Sequence, residues 1–503
     1  MFDDSQIDGS SPHTCVVGAG VGGLSTAIRL QAAGHRVTLY DTHDWPGGKM
    51  RTVASEAGPV DAGPTVLTMR HVFDELFEAS GTKLDDQITL VEEPCIARHF
   101  WSDGSTLDLT NDHEINETAI AKFAGNTVAK EYRLFSKEAK QLFDLFSAPM
   151  MQKAEPSLLE LGRLSLQNPQ HLRTLSPFAT LKSHLDRRFS DPRLIQLFGR
   201  YATYVGGSPL AAPALLALIW HAEASGVWRV EGGMGNLAHV LADRFVALGG
   251  SLKLSTPVAE ILTTSGRAHG LRLTSGETVP ADLVVYAGDP RALAEGKLGS
   301  AAQMIAPQTL SRPRSLSARV WSFAAETRTT LDLAHHNVFF GTSRTAEFED
   351  LAGGAMPTDP TIYVCAEDRG DGAARISGPE RFEIILNAAP LTDAAAPPDE
   401  EETCRQTTFQ TLERFGLRFE PKPTTRSLAT PTTFDTLFPG SAGALYGQTP
   451  HGMIAALKRP RARTRIPGLY LAGGGAHPGA GVPMAALSGK HAAEAILMDH
   501  VST

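Results

Sequence analysis

The chain has 503 residues, and at roughly 150 residues per domain this length predicts two or three domains, each with its own core. Hydrophobic residues make up 42% without counting glycine, an ordinary globular content that excludes a disordered, collagenous or coiled-coil chain. A net charge of -9 argues against a nucleic-acid partner. The four scattered cysteines, with no CxxC pair, indicate neither a disulfide framework nor a metal site.

The first predicted elements form a βαβ unit. An apolar strand over residues 14–17 runs into a GxGxxG segment, and a helix over 24–33 is followed by a strand over 36–40. The segment's glycines are Gly18, Gly20 and Gly23, and the second strand ends at Asp41. Such glycines let the backbone approach a pyrophosphate at a helix N-terminus, and the acid is placed to bind a ribose. The unit therefore predicts dinucleotide binding.

Two further segments decide which dinucleotide this is. Gly47, Gly48 and Lys49 follow shortly after Asp41, and the sequence DAGPT occupies residues 61–65. A nicotinamide dehydrogenase needs neither segment, whereas an extended FAD needs further glycine loops along its path. A plain hairpin turn is the alternative for the glycine pair.

The middle of the chain predicts a second, mixed region. Residues 112–200 are amphipathic and helical, and the uncharged run 209–220 is too short to span a bilayer. That run predicts either a buried helix or part of a membrane-facing tunnel mouth. A helix is predicted over 236–248, a β-meander over 258–261, 268–273 and 283–286, and strands near 316–323, 361–366 and 382–387.

The end of the chain returns to α/β character. A strand over 469–472 precedes five glycines between Gly473 and Gly481, and Pro483 is placed to begin a helix. That helix would direct its positive end at the N1–C2=O edge of a flavin. His477 is a catalytic candidate, with a structural role as the favoured alternative. The basic run 458–465 predicts either a solvated loop or contact with anionic lipid.

Together these segments resemble the flavin amine-oxidase-like superfamily, and within it the bacterial carotenoid (phytoene) desaturases. The most specific mark is residues 476–483, similar to that family's HPGAGxP motif, and residues 61–65 and 206–209 also match its pattern. Residues 359–365 and 438–447 look closest to the hydroxyneurosporene desaturases, also called 1-hydroxycarotenoid 3,4-desaturases. The fold implied is α/β, with a Rossmann-like FAD domain of the GR2 type and a discontinuous α+β substrate domain that includes a helical, membrane-facing region.

The resemblance also implies where the cofactor binds. It places the pyrophosphate at Gly18, Gly20 and Gly23, the ribose at Asp41, adenine at the backbone of Val258, and the isoalloxazine at Gly481, Val482, Pro483 and Met484. Gly47, Gly48, Lys49, Gly63, Pro64, Thr65, Gly473 and Gly474 would line the rest of its path. Many relatives carry an acid after the glycine at the strand end, whereas residues 473–475 are all glycine, which puts that contact in doubt.

The activity implied is FAD-dependent C-3,4 desaturation of a 1-hydroxylated acyclic carotenoid, as in spheroidene or spirilloxanthin biosynthesis. A hydride would leave for flavin N5 and a proton would leave the neighbouring carbon, with no base identified. Because a second GxGxxG unit is missing, oxygen or a quinone is the expected electron acceptor. Alternatives are a phytoene desaturase, a redox-neutral carotenoid isomerase, a flavin amine oxidase, or a non-catalytic lipid carrier.

The resemblance and the patterns together predict a division of the chain. Residues 12–100, 227–300 and 426–503 form the FAD domain, and residues 101–226 and 301–425 form the substrate domain. The acidic start of the chain lacks the basic and then apolar order of a secretory signal. We therefore expect a cytoplasmic enzyme, peripherally associated with the inner (chromatophore) membrane.

Overall fold

A computed structural model describes residues 11–167, 179–370, 378–392, 399–452, 455 and 458–501. Within these ranges, no helix has both the length and the apolar character needed to cross a bilayer.

The described residues form twenty strands and fourteen α-helices, joined by loops and short 3-10 turns. The strands are β1 His13–Val17, β2 Arg36–Tyr40, β3 Thr52–Val53, β4 Val60–Asp61, β5 Leu90–Glu92, β6 Cys95–Phe100, β7 Thr106–Thr110, β8 Trp228–Val230, β9 Ser251–Lys253, β10 Val258–Thr264, β11 Arg267–Leu273, β12 Thr278–Pro280, β13 Leu283–Tyr286, β14 Ser317–Arg328, β15 His336–Phe339, β16 Ile362–Ala366, β17 Glu380–Ala388, β18 Arg418–Glu420, β19 Leu428–Ala429 and β20 Leu469–Leu471. The helices are α1 Val21–Ala32, α2 His71–Ala79, α3 His113–Ala124, α4 Asn126–Phe146, α5 Leu158–Gln167, α6 Leu181–Arg188, α7 Pro192–Gly199, α8 Leu218–Ala224, α9 Met234–Ala247, α10 Pro290–Ala294, α11 Ala346–Ala352, α12 Glu400–Arg414, α13 Pro431–Leu437 and α14 Val482–Val501.

The first sheet is parallel and has the strand order β20-β13-β1-β2-β9. Helix α1 packs against α14 and α9 over this sheet, and their apolar side chains share one core. The predicted βαβ opening is confirmed, and Gly34 ends α1 with a φ of 89°, which favours glycine. A parallel sheet covered by helices agrees with the predicted α/β fold class.

The predicted β-meander is wrong in its third strand. The meander is completed by β12, which pairs with β11, whereas β13 lies in the parallel sheet between β1 and β20. All four residues of β13 are buried and its sequence is LVVY, a continuous apolar run. Such a run suits a strand covered on both faces, while a meander strand with one exposed face alternates polar and apolar residues.

The second sheet is mixed and has the order β18-β14-β17-β16-β15-β6-β7, with β19 paired to β14. One of its faces packs against α12 through Phe382, Ile384 and Phe409. The predicted boundary at residue 100 assigned residues 95–100 to the FAD domain, but β6 pairs with β15 in this second sheet. The alternation of buried and partly exposed residues along β6 is equally compatible with either sheet. Only the strand that β6 pairs with, β15, shows which sheet it belongs to.

Helices α3, α4, α6, α7 and α8 form a third region with its own core. The run 209–220 contributes to it: a 3-10 turn begins at Ala214 and α8 at Leu218, and the residues before Ala214 are irregular. Trp220 is fully buried and its Nε1 donates to the Ser136 hydroxyl at 2.8 Å. Half of the run is therefore buried, as predicted for a helix of the substrate domain, although only part of it is helical.

Candidate functional site

The three glycine segments meet at the carboxyl edge of the parallel sheet. The amide of Gly47 donates to the Ala19 carbonyl at 2.8 Å, and Gly20 forms an isolated bridge with Gly47. A methyl group added at Gly22 would lie 2.5 Å from the Cα of Gly473. Segments that lie far apart in the sequence thus converge around the start of α1, as an extended dinucleotide requires.

The first segment has the properties of a pyrophosphate cradle. Helix α1 begins after Gly20 and has no side-chain cap, so its first amides are free to bind an anion. A methyl group added at Gly20 would meet no described atom within 4 Å, so this space is open. One added at Gly23 would lie 1.9 Å from the Gly18 carbonyl oxygen, which explains why the third glycine is needed. The residues present fit FAD.

Asp41 lies beside this segment and is held in place. Its carboxylate accepts hydrogen bonds from the amides of Ala19 at 2.6 Å and His43 at 2.8 Å. Its own carbonyl accepts from the Thr256 amide at 2.7 Å, and Val258 begins β10 two residues later. The structure therefore brings together the acid predicted to bind ribose and the segment predicted to contact adenine.

Replacement of Asp41 with alanine is expected to weaken FAD binding by about 1.5–3 kcal/mol, the range for charge-assisted hydrogen bonds. Titration of the apoprotein with FAD measures this. Asp44→Ala is the matched control, because Asp44 is an exposed acid on the same loop. Equal affinity of the Asp41→Ala variant and the control would contradict the assignment of the ribose to Asp41.

The second glycine segment contacts the loop that follows α13. Lys49 Nζ donates to the Leu445 carbonyl at 2.6 Å, and burial lowers the pKa of this amine to about 8. Gly63 allows a close approach, because a methyl group there would lie 2.0 Å from the Lys49 carbonyl oxygen. The hydroxyls of Thr65 and Tyr363 are 2.7 Å apart. Residues 63–65 therefore lie between the second glycine segment and the second sheet.

The C-terminal glycine segment leads into a long helix. Gly481 has a φ of 109° and directly precedes α14, where the Ala485 amide donates to the Gly481 carbonyl. Residues 481–484 thus form a helix N-terminus, as predicted. Arg459 secures this segment, since its guanidinium donates to the carbonyls of Gly474 at 2.8 Å and Tyr446 at 2.9 Å.

The basic run 458–465 is not uniformly solvated. Arg459 is only 7% exposed, and burial lowers its pKa to about 10. Arg463 pairs with Asp499 at 3.0 Å. The exposed cations of the run are Lys458, Arg461 and Arg465. The spacing of charged residues in the sequence could not distinguish the buried Arg459 from the exposed cations. The burial of Arg459 depends on carbonyl groups that belong to other parts of the chain.

The structure gives His477 a structural environment. Its Nε2 donates to the Lys153 carbonyl at 2.9 Å, and its ring stacks on His491 with centroids 5.5 Å apart. Burial lowers the pKa of His477 to about 4, so the ring is neutral near pH 7. These contacts connect the C-terminal loop to the end of the α4 region, and they support the structural alternative over a catalytic one.

Sequence reasoning missed the polar face of the second sheet. Glu383 on β17 and Tyr363 on β16 project opposite to the apolar face, and Tyr363 accepts or donates a 2.6 Å hydrogen bond with His336 Nδ1. Along β17 the order Arg381-Phe382-Glu383-Ile384 alternates polar and apolar residues, which is typical of a strand with one face in water. Only the packing of β4 against β17 and β14 reveals that this face is buried.

The same face contains a cluster of potential metal ligands. Donor atoms of His335, His336 and Cys365 lie within 4.8 Å of one another and all three residues are buried. Burial raises the pKa of the Cys365 thiol well above its usual value, whereas metal binding requires a thiolate. The thiol instead lies 3.5 Å from His335 Nε2. We assign no metal here.

Comparison with known proteins identifies the family. The family model described as flavin containing amine oxidoreductase matches residues 21–497. A hydroxyneurosporene desaturase of Cereibacter sphaeroides is 54% identical over 491 residues, which cover 98% of each chain, and one of Rhodobacter capsulatus is 46% identical over 98% of this chain and 99% of its own. A 4,4'-diapolycopene oxygenase of Methylomonas sp is 30% identical over 96% of this chain and 98% of its own.

Solved structures support the fold alone. Putrescine oxidase bound to putrescine matches with a TM-score of 0.62 and 16% identity, over 97% of this chain and 99% of that one. Cyclohexylamine oxidase from Brevibacterium oxydans matches with a TM-score of 0.57 and 17% identity, over 98% and 100%. These matches confirm the predicted fold class, and the family match confirms the predicted FAD. The chain belongs to the flavin-containing amine oxidoreductase family, and within it to the carotenoid desaturases that include the hydroxyneurosporene desaturases.

Proposed function

We propose that this protein desaturates an acyclic, 1-hydroxylated carotenoid at C-3,4, with 1-hydroxyneurosporene as its substrate. The observation that carries the proposal is the 54% identity, over almost the full length of both chains, with a hydroxyneurosporene desaturase. The meeting of three glycine segments at one sheet edge supports it, because an oxidoreductase on this fold needs an intact dinucleotide cradle.

The net reaction removes a hydride and a proton from neighbouring carbons and leaves a double bond. FAD, when bound, supplies the two-electron acceptor. The chain's own residues would bind and orient: Gly18 to Gly23 hold the pyrophosphate, Asp41 the ribose, and the N-terminus of α14 supports negative charge at the flavin edge. Packed apolar side chains of the helical region and residues 63–65 exclude water. Oxygen or a quinone would take the electrons onward.

Expression in cells that accumulate neurosporene or 1-hydroxyneurosporene tests the substrate. Pigment spectra and mass analysis should show loss of two hydrogens at C-3,4 from 1-hydroxyneurosporene. Product from phytoene alone would support the phytoene desaturase alternative instead. An isomer with unchanged mass would indicate a redox-neutral isomerase. Purified protein that lacks a yellow cofactor would favour a lipid carrier.

We further propose peripheral association with a membrane, because a long hydrocarbon substrate is dissolved in the bilayer. Leu159 on α5 has 89% of its surface exposed, an unusual position for a large aliphatic side chain. The exposed cations Lys458, Arg461 and Arg465 would add attraction to anionic lipid headgroups. High salt should therefore release the protein from anionic vesicles only in part.

Leu159→Glu is expected to lower vesicle binding about tenfold or more, since it removes an apolar contact and adds a negative charge. Sedimentation with phosphatidylcholine–phosphatidylglycerol vesicles measures this. Val246→Glu, at an aliphatic residue of α9 that is 49% exposed, is the control and should pellet like the wild type. Wild-type protein that never pellets yet converts carotenoid in the vesicles would contradict peripheral binding.

A further inference from the structure

The second sheet has one apolar face and one buried polar face. On β17, Phe382 and Ile384 belong to the core beneath α12, so Glu383 between them projects to the opposite side. Strand β4 of the FAD domain contacts β17 and β14, and the Asp61 amide donates to Glu367 Oε1 at 2.8 Å. The polar face is therefore covered by the segment that leads into residues 63–65.

Most charged groups on this face have partners. The Asp61 carboxylate accepts from the amides of Met234 at 2.6 Å and Gly235 at 3.0 Å, at the start of α9. Arg381 pairs with Asp368 at 2.6 Å and with Glu367 at 3.5 Å. These contacts satisfy the outer part of the face.

Glu383 is the exception. Its side chain is 0% exposed, and within the described part of the chain neither carboxyl oxygen has a hydrogen-bond partner. The Gly63 amide and the Arg51 guanidinium act on the carboxyl to lower its pKa, but among the described residues neither has the geometry of a hydrogen bond to its oxygens. Buried polar groups are almost always hydrogen-bonded, so an unpaired carboxyl requires an explanation.

The surroundings also determine the protonation state of this carboxyl. Burial first, and then the carboxylates of Asp61 and Glu367, raise the pKa of Glu383 well above its ordinary value. This environment favours the protonated form of the acid, which has one O–H donor and a carbonyl acceptor. A neutral acid of this kind is suited to pair with an alcohol, and poorly suited to take a proton from carbon.

The substrate of the proposed function supplies such an alcohol. Its hydroxyl is on C-1, two bonds from the reacting C-3, so it enters the site together with the carbons that lose hydrogen. An alcohol taken out of water into an apolar tunnel is costly to bury without a hydrogen-bond partner. A polar group is therefore needed close to the predicted flavin-lining residues 63–65.

We propose that Glu383 binds the substrate hydroxyl through two hydrogen bonds. The acid O–H donates to the hydroxyl oxygen, and the hydroxyl donates to the acid carbonyl. This inference rests on the proposed function and makes Glu383 a specificity-determining residue, since a carotenoid without the hydroxyl leaves the buried acid unpaired. The catalytic cradle at Gly18 to Gly23 is not involved.

The test compares two substrates, 1-hydroxyneurosporene and neurosporene, with Glu383→Leu and Glu383→Gln holoenzymes. Glu383→Leu should lose about 10- to 100-fold in kcat/KM for the hydroxylated substrate, mainly through KM, and should lose little or nothing on neurosporene. Glu383→Gln keeps one donor and one acceptor, so it should retain most of the preference. Quenching of tryptophan fluorescence by each carotenoid gives the affinities independently of turnover.

Glu347→Gln serves as a control, since Glu347 is a buried carboxyl whose oxygens accept from the Thr361 amide and Asn387. The ratio of kcat/KM for 1-hydroxyneurosporene to kcat/KM for neurosporene in this variant should match that of the wild type. An unchanged ratio of kcat/KM for the two substrates in Glu383→Leu overturns the inference. An equal loss of kcat/KM on both substrates in Glu383→Gln also overturns it, because that result would indicate that Glu383 acts as a base. If Glu383→Leu fails to bind FAD, Glu383→Ala decides, because alanine also removes both the donor and the acceptor and should lose the preference for the hydroxylated substrate. Wild-type enzyme inactive on 1-hydroxyneurosporene would instead refute the proposed function.

Discussion

Replacement of Gly20 with valine is expected to abolish FAD binding in a chain that still folds. The backbone of Gly20 is extended, with φ -68° and ψ 171°, so a β-branched residue can adopt it without strain. A new Cβ would meet no described protein atom within 4 Å, and the side chain would occupy the space that a pyrophosphate needs. The loss of a favourable cap residue should cost the fold only about 1 kcal/mol.

Bound flavin, measured by absorbance, and the thermal midpoint of the apoprotein together test this. Gly20→Ala should show an intermediate loss of FAD, because a methyl group intrudes less than an isopropyl group. Gly23→Ala is the contrasting variant, since its methyl would lie 1.9 Å from the Gly18 carbonyl oxygen and must distort the loop itself. Full flavin retention by Gly20→Val would show that the pyrophosphate binds elsewhere.

The second large effect is expected at the start of α14. Gly481→Asp should lower the reduction potential of the bound flavin and slow desaturation, because a negative charge would oppose the helix N-terminus where negative charge develops. An effect of about 1–3 kcal/mol corresponds to a shift on the order of 20–60 mV for a two-electron couple. The distant pyrophosphate cradle should still hold FAD.

Gly481→Asn separates charge from backbone strain. Gly481 has a φ of 109°, so both substitutions are strained alike, and a new Cβ would meet only Met484 at 4.0 Å. Redox titration should show the lowered potential in the aspartate variant and a potential nearer the wild type in the asparagine variant. Equal potentials in the two variants would mean that this loop only contributes packing. Circular dichroism and flavin content establish that each variant is folded.

The parts of the site that the sequence predicted are those encoded locally. The strand, glycine turn and helix around Gly20 follow one another within a few residues, and Asp41 ends the next strand. Each depends on short-range patterns of apolar residues, glycines and caps, which are read directly. The helix start after Gly481 is of the same kind. The contact between these segments is a feature of the tertiary structure. The sequence predicted it only through the resemblance to a known family.

The missed parts depend on partners that are distant in the sequence. β13 looks like the last strand of a hairpin series until its neighbours β1 and β20 are known. Glu383 looks like a solvent-facing residue of an alternating strand, because the segment that covers it comes from around residue 61. Arg459 looks like any cation of a basic loop, although three carbonyls surround it. Burial by remote segments has no local pattern.

The strand order of the first sheet constrains how the protein is made. β1 pairs with β13, which pairs with β20, and the Thr26 hydroxyl on α1 reaches the Gly489 carbonyl on α14, 463 positions away. On the ribosome, β1 therefore lacks its neighbour β13 until residue 286 is made, and α1 lacks α14 until translation is nearly complete. Domains usually fold as they emerge, and contacts this remote slow folding. The nascent chain consequently exposes one edge of β1 until β13 emerges and the apolar face of α1 until α14 emerges, and we expect chaperone supply to limit the yield of holoenzyme during rapid expression.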